Sequence, residues 1–207
     1  MSRISDVSIK DEQLYWDHRF KRNTIKLLPG DFDVVHGPEM LVTVLGSCVA
    51  ACIRDTKSGI GGMNHFLLPT EKKNKNATEW NDYNSAATRY GDLAMEQLIN
   101  KIVAMGGKRE NFEAKIFGGA RMFETSFSDI GAKNIEFVTK YLKIEKIRTL
   151  SHDTAGNHAR KIYYIPESGE VYLKRITNTN NDTIKNREYK YLSEARKART
   201  TADISFF

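Results

Sequence analysis

The chain has 207 residues, 40% of them hydrophobic and 28% charged, with a formal net charge of +6. That is ordinary globular composition, long enough for one domain with a proper core and flanking arms. No apolar run approaches the roughly 18 residues of a membrane span, and the first residues carry no apolar leader region, so no membrane insertion and a cytoplasmic location are expected.

The 32 Lys and Arg are spread along the chain without any nucleic-acid-binding motif, so no nucleic acid partner is expected. Their charge favours an acidic protein surface or simple solubility. The two cysteines, Cys48 and Cys52, lie four apart on one expected strand, roughly 13 Å at strand rise. That is beyond disulfide reach, and both are expected as free thiols.

Residues 1–25 are polar and of mixed charge, and read as a peripheral arm that Tyr15 and Trp16 could staple to the body. Thr24–Leu28 and Asp33–Val35 read as short strands around the Pro29-Gly30 turn. His36, at a Gly-Pro turn, reads as a surface histidine.

The rest of the chain is organised around residues 40–69, MLVTVLGSCVAACIRDTKSGIGGMNHFLLP. A strand runs to a small-residue corner at Gly46-Ser47. Cys48–Ile53 follows as a buried strand, apolar, bounded by turn residues and too short for a helix. Asp55–Gly59 forms a hairpin tip, and Ile60–Leu68 returns. Centred near Lys57, such a hairpin puts Cys48 across from the Phe66/His65 region, where opposed Cβ atoms sit about 4.5–5.5 Å apart, whereas a one-residue slip in register would turn His65 to the other face. The Gly61-Gly62 pair reads as a bulge that would re-aim the side chains after it. On spacing alone, a buried cysteine near a histidine is more often packing than chemistry. Ser47 is the rival nucleophile, but strand alternation turns it away from the side of Cys48.

Thr70–Trp80 reads as a solvated loop. Asn84 or Ser85 caps a helix reaching about Met105, with Tyr90, Leu93, Ala94, Leu98, Ile102 and Met105 near one face and Gly106-Gly107 ending it. Gly91 inside that helix costs about 1 kcal/mol relative to Ala unless a close contact needs the missing side chain. A short strand, Ala114–Phe117, meets the Gly118-Gly119 turn. Asp129 caps a second helix, Ile130–Leu142, and a strand follows around Lys146–Leu150. Ser151–Ala159 reads as a polar loop; its His152 and His158 match no metal-site spacing, so no metal is expected. Arg160–Ile165 and Glu170–Ile176 flank a Pro-Glu-Ser-Gly turn as a hairpin. From Thr177 a polar linker leads into a basic tail, expected to act through charge rather than chemistry. The organisation is therefore an arm (1–25), a domain (26–176) and a linker with tail (177–207). The fold class is α/β, with mixed, mainly antiparallel sheets layered with helices.

Several motifs carry a family likeness. Thr43-Val-Leu-Gly-Ser-Cys48-Val and Gly61-Gly62-Met-Asn-His65-Phe-Leu-Leu-Pro69 resemble the signature of the CheD family, the chemoreceptor glutamine deamidases. The likeness continues through Tyr90–Met95, Ala114–Ala120, Ile130–Asn134 and the Arg160–Ile176 hairpin, covering roughly residues 26–176. It implies a layered cysteine-hydrolase fold like that of toxin deamidases. By the same likeness Cys48 is the nucleophile, His65 the base and Thr43 the residue that orients it. The implied reaction is hydrolysis of glutamine side-chain amides on methyl-accepting chemotaxis receptors through a cysteine thioester, with no cofactor. A CheC-type phosphatase is the further partner the likeness suggests. The alternative is a non-catalytic adaptor on receptors or on such a phosphatase, and transamidation would share the same thioester. One departure stands out: Asp153-Thr-Ala-Gly156 occupies the place of an expected glycine pair after the Asp.

Overall fold

A computed structural model describes residues 13–68, 86–122, 130–177 and, near the C-terminus, 183, 184, 186–188, 190, 191 and 193. The expected loop at Thr70–Trp80 and the expected caps Asn84, Ser85 and Asp129 lie outside the described residues.

Among the described residues, ten strands form two five-stranded sheets. The first sheet has the order β1 (Leu14–Asp17), β2 (Arg22–Lys26), β4 (Met40–Leu45), β9 (Ala159–Ile165), β10 (Glu170–Ile176). The second has the order β3 (Phe32–Val35), β6 (Gly61–Asn64), β5 (Val49–Asp55), β7 (Phe112–Gly118), β8 (Arg148–Thr154). Pairing is antiparallel except for β2 with β4 and β7 with β8. Helices α1 (Ala86–Ala104) and α2 (Ile130–Ile144) complete the layers.

Strand β5 explains the layering. Its run Val-Ala-Ala-Cys-Ile is apolar at every position, so both of its faces must be covered. Cys48, Ala50 and Cys52 pack toward the first sheet, with Leu41, Leu45, Ile162 and Tyr164. Val49, Ala51 and Ile53 pack on the opposite face, against Met95, Leu98, Ile99 and Ile102 of α1 and Val138 and Leu142 of α2. The order of layers is sheet, sheet, helices.

Some sequence expectations change in detail. The segment expected as an arm carries β1 and most of β2, and the expected boundary after residue 25 falls inside β2. Tyr15 and Trp16 remain exposed on that sheet edge. Strand β8 runs to Thr154, so His152 belongs to a strand rather than a loop. The buried face of α1 is Met95, Leu98, Ile99 and Ile102, whereas Leu93 and Met105 are exposed.

The Gly61-Gly62 pair makes no bulge: β6 pairs in unbroken register with β3 and β5. A Cβ on Gly62 would stand 2.3 Å from the Asp33 carbonyl oxygen, so the missing side chain lets the backbones approach. Gly91 has the same justification, since a Cβ there would meet the Phe137 ring at 2.5 Å.

Candidate functional site

The hairpin of β5 and β6 sets the site. Cys52 pairs with Met63, and an isolated bridge joins Val49 to Phe66. This register puts Leu67 opposite Cys48 and Ala50 opposite His65. Cys48 and His65 are therefore diagonal neighbours on one face rather than directly opposed, about 7–8 Å apart at Cα and within reach of an imidazole. Cys48 is fully buried and His65 is 2% exposed.

His65 is held from both sides. Its N–H donates to the Asp31 carbonyl at 2.9 Å, and its carbonyl accepts from Gly30 N–H at 2.7 Å. The imidazole Nδ1 lies 2.7 Å from Thr43 Oγ1, which also lies 2.8 Å from the Leu27 carbonyl oxygen. A carbonyl oxygen only accepts, so the single hydroxyl proton of Thr43 goes to Leu27 and the hydroxyl accepts from Nδ1–H. The chemistry of the partners thereby fixes the tautomer. Nε2 carries the lone pair and, although buried, has no hydrogen-bond partner among the described residues.

Cys48 follows a corner built from backbone. Glu188, in the C-terminal helical residues, presents its carboxylate to that corner. Its Oε1 accepts from Gly46 N–H at 3.0 Å and Cys48 N–H at 3.2 Å. Its Oε2 accepts from Ser47 N–H at 3.1 Å and from the Ser47 hydroxyl at 2.6 Å. Three successive N–H groups converging on one anion form a nest, the geometry that also stabilises an oxyanion. The tail expected to act only through its charge thus delivers a buried carboxylate to the site. Ser47, read as turned away from Cys48, is bound to that same carboxylate.

Other backbone clamps hold the corner. Gly119 N–H donates to the Cys48 carbonyl and Ala120 N–H to the Gly46 carbonyl, each at 2.7 Å. Gly118 adopts φ +112, and a Cβ there would collide with the Cys48 carbonyl oxygen at 2.1 Å. From α2, Asn134 donates to the Ser47 carbonyl at 2.8 Å and accepts from Leu68 N–H at 2.9 Å. It ties the corner before Cys48 to the strand end after His65. Asn64 accepts from Ala51 N–H at 2.9 Å and donates to the Ala94 carbonyl at 3.1 Å, fixing β5 to α1. The Asp153 loop abuts this region through Ala155 N–H, which donates to the Gly118 carbonyl at 3.0 Å. Ala155 and Gly156 have φ of 61 and 75, so alanine takes the left-handed shape that a first glycine of a pair would adopt. The Arg160 guanidinium donates to the Asp153 and Ala155 carbonyls and holds it there.

The thiol and imidazole are both neutral in this arrangement. Burial pushes the Cys48 thiol well above its ordinary value, and the adjacent Glu188 carboxylate pushes it further. Burial, helped by the nearby charge of Arg187, brings His65 down to about 3. Cys48 and His65 therefore do not form a thiolate–imidazolium pair in this state. Burial and the Glu188 charge are the reasons. Cys52 is also a free thiol and also raised by burial, partly offset by Lys115.

Comparison with known proteins gives the family. A family model described as CheD chemotactic sensory transduction matches residues 67–175. A protein of Halorhodospira halophila named probable chemoreceptor glutamine deamidase CheD is 46% identical over 93% of this chain and 88% of its own length. The chain belongs to the CheD family. A Dechloromonas aromatica protein named probable chemoreceptor glutamine deamidase CheD 1 is 44% identical over 93% of each chain. A third, from Herminiimonas arsenicoxydans and named as the first is, shows 42% identity over 94% of each.

Leu27, Asn64, Asn134 and Glu188 are the contributors that sequence reasoning missed. Among the described residues no group of three His, Cys, Asp or Glu side chains is placed to hold a metal ion, and no helix is long and apolar enough to cross a membrane.

Proposed function

We propose that this CheD-family chain hydrolyses glutamine side-chain amides on methyl-accepting chemotaxis receptors in the cytoplasm, releasing ammonia and leaving glutamate. The observation that carries the reading is the chain Leu27 carbonyl, Thr43 hydroxyl, His65 Nδ1–H, which leaves a bare Nε2 on the face shared with Cys48. The names of the relatives supply the substrate class.

The reaction begins when the amide carbonyl oxygen enters the nest of Gly46, Ser47 and Cys48 N–H groups. His65 Nε2 takes the Cys48 proton as sulfur attacks the amide carbon, and the nest receives the negative charge on oxygen. The C–N bond then breaks, the imidazolium returns its proton to the departing nitrogen, and ammonia leaves a thioester. Water, deprotonated by His65, adds to the thioester. The C–S bond breaks, Cys48 leaves as thiolate and is reprotonated, and the new carboxylate remains. Thr43 takes no part in bond making; it keeps the imidazole in the tautomer whose lone pair faces the thiol. An amine reaching the thioester before water would give transamidation. A CheC-type phosphatase is the further partner this reading accommodates.

Incubation with a glutamine-bearing receptor fragment, read by mass spectrometry, tests the proposal. Cys48→Ala is expected to abolish conversion, with fold and receptor binding intact. Cys52→Ala, on the same strand face, retains it. Conversion by Cys48→Ala would refute the nucleophile. A receptor that binds wild type but is never converted would favour the adaptor reading.

A further inference from the structure

Glu188 is only 2% exposed, although it lies in a basic segment near the end of the chain. Its carboxylate takes all three N–H groups of the Gly46–Cys48 nest and the Ser47 hydroxyl. Gly46 is what admits it, because a Cβ there would stand 2.8 Å from Oε1. The group in the nest is a glutamate side chain, the chemical product of glutamine deamidation.

The residues around it repeat at helical spacing. Ile184, Glu188 and Tyr191 fall at i, i+4 and i+7, one stripe of a helix. Ile184 packs on Ala120, Met122 and Ala159, and Tyr191 packs on the inter-sheet core. The Tyr191 ring fills the space that Gly30 leaves open, 2.8 Å from where a Cβ would be. Gly30 is the residue whose N–H holds the His65 carbonyl. Two apolar anchors thus flank a central carboxylate; Glu188 binds the Cys48 N–H and Tyr191 covers the turn behind His65. Helices that dock in grooves read out in this pattern.

We propose that these C-terminal helical residues are a tethered product mimic, with Glu188 standing where the product glutamate stands. The substrate is then a glutamine on a helix, carrying an apolar residue four positions before it and an apolar or aromatic residue three positions after it. Substrate must displace the tether, so the tail restrains the enzyme until a receptor helix competes it away. This rests on the deamidase reading above.

The experiment places an amide where the carboxylate lies. Full-length Glu188→Gln, followed by intact mass and peptide mapping, is expected to convert its own introduced glutamine to glutamate. Thiol attack on the amide carbon, loss of ammonia and hydrolysis by water are the same steps as on a receptor. The double variant Cys48→Ala, Glu188→Gln is expected to keep the amide. Full-length Glu188→Ala is expected to turn over a receptor fragment at least about tenfold faster at low substrate, and to expose Cys48 to iodoacetamide by a similar factor, as for a lost competitor.

A Glu188→Gln preparation that deamidates the receptor fragment while its own amide persists overturns the mimic and leaves the deamidase reading intact. Loss of receptor turnover in a folded Glu188→Ala protein also overturns the mimic, since Glu188 would then be part of the machinery. If every variant fails on receptor while Glu188→Ala still exposes Cys48, the deamidase reading falls and the occluding tail stands. Should Glu188→Ala fail to fold, Glu188→Gln, which conserves shape, decides alone.

Discussion

Thr43→Val separates orientation of the base from stability of the fold. Valine keeps the shape of threonine and removes the hydroxyl. It deletes two buried hydrogen bonds, 2.8 Å to the Leu27 carbonyl and 2.7 Å from His65 Nδ1–H. An orphaned buried donor costs about 1–3 kcal/mol, so urea unfolding should register a loss of that order. The rate effect has a different origin. Without its acceptor, the imidazole proton is no longer tied to Nδ1, and Nε2 ceases to be reliably bare. A positioned general base contributes about 10²–10⁴-fold, and losing part of that should lower kcat about 10–100-fold. Thr43 is buried behind the imidazole, so KM should hardly move. Thr43→Ser restores the hydroxyl and should recover most of kcat. The assay is the initial rate of glutamine-to-glutamate conversion on a receptor fragment, with urea midpoints measured in parallel. A Thr43→Val enzyme that is destabilised yet retains wild-type kcat would refute the reasoning, leaving Thr43 as a packing residue.

Other expectations follow from the same contacts. His65 stays neutral in the native state down to about pH 3, whereas the unfolded chain takes up a proton near pH 6.5, so native stability should fall across that window as pH drops. Thermal melts of His65→Asn should flatten that dependence; an unchanged slope would assign the acid sensitivity elsewhere. Asn134→Ala strips partners from the Ser47 carbonyl and Leu68 N–H and should lower kcat more than it raises KM, because the corner before Cys48 loses its clamp to α2. An effect on stability alone would make Asn134 purely structural. Gly91→Ala gains about 1 kcal/mol of helix propensity, but its Cβ would meet Phe137 at 2.5 Å and Leu68 at 2.8 Å. Overpacking of about 1–3 kcal/mol should prevail, lowering the urea midpoint at unchanged m; a stabilised variant would contradict the packing.

What the sequence reveals follows from the range of each interaction. The β5–β6 hairpin is legible because its turn and its apolar strand are local, and the cysteine and histidine come together within it. The register is less so: glycines 61 and 62 signal a close approach of backbones as well as they signal a bulge, and only the observed neighbours decide between them. Asn134 carried a readable sign. The buried stripe of α2 is Ile130, Asn134, Val138, Leu142, and an amide in the middle of an apolar stripe must find partners. Glu188 carried the same sign, a charge between Ile184 and Tyr191 on one helical face. Its destination was hidden because the nest lies 140 to 142 residues earlier in the chain. A charged residue inside an apolar stripe announces that a partner exists without saying where.

The two neutral groups of the dyad fit a reaction that is switched on by its substrate. In the described state the nest holds an anion, and that anion opposes ionisation of the thiol beside it. A glutamine amide filling the same place presents a carbonyl oxygen to the three N–H groups and brings no charge. Exchanging carboxylate for amide therefore removes a Coulombic penalty on the thiolate just as the carbon to be attacked arrives. Hydrolysis restores the penalty, because the product is again a carboxylate in the nest. A thiol kept protonated by the charge of its own product cannot readily reopen a thioester from it. On the proposed mechanism, the charge carried by the occupant of the nest, rather than a standing ion pair with His65, times the ionisation of Cys48.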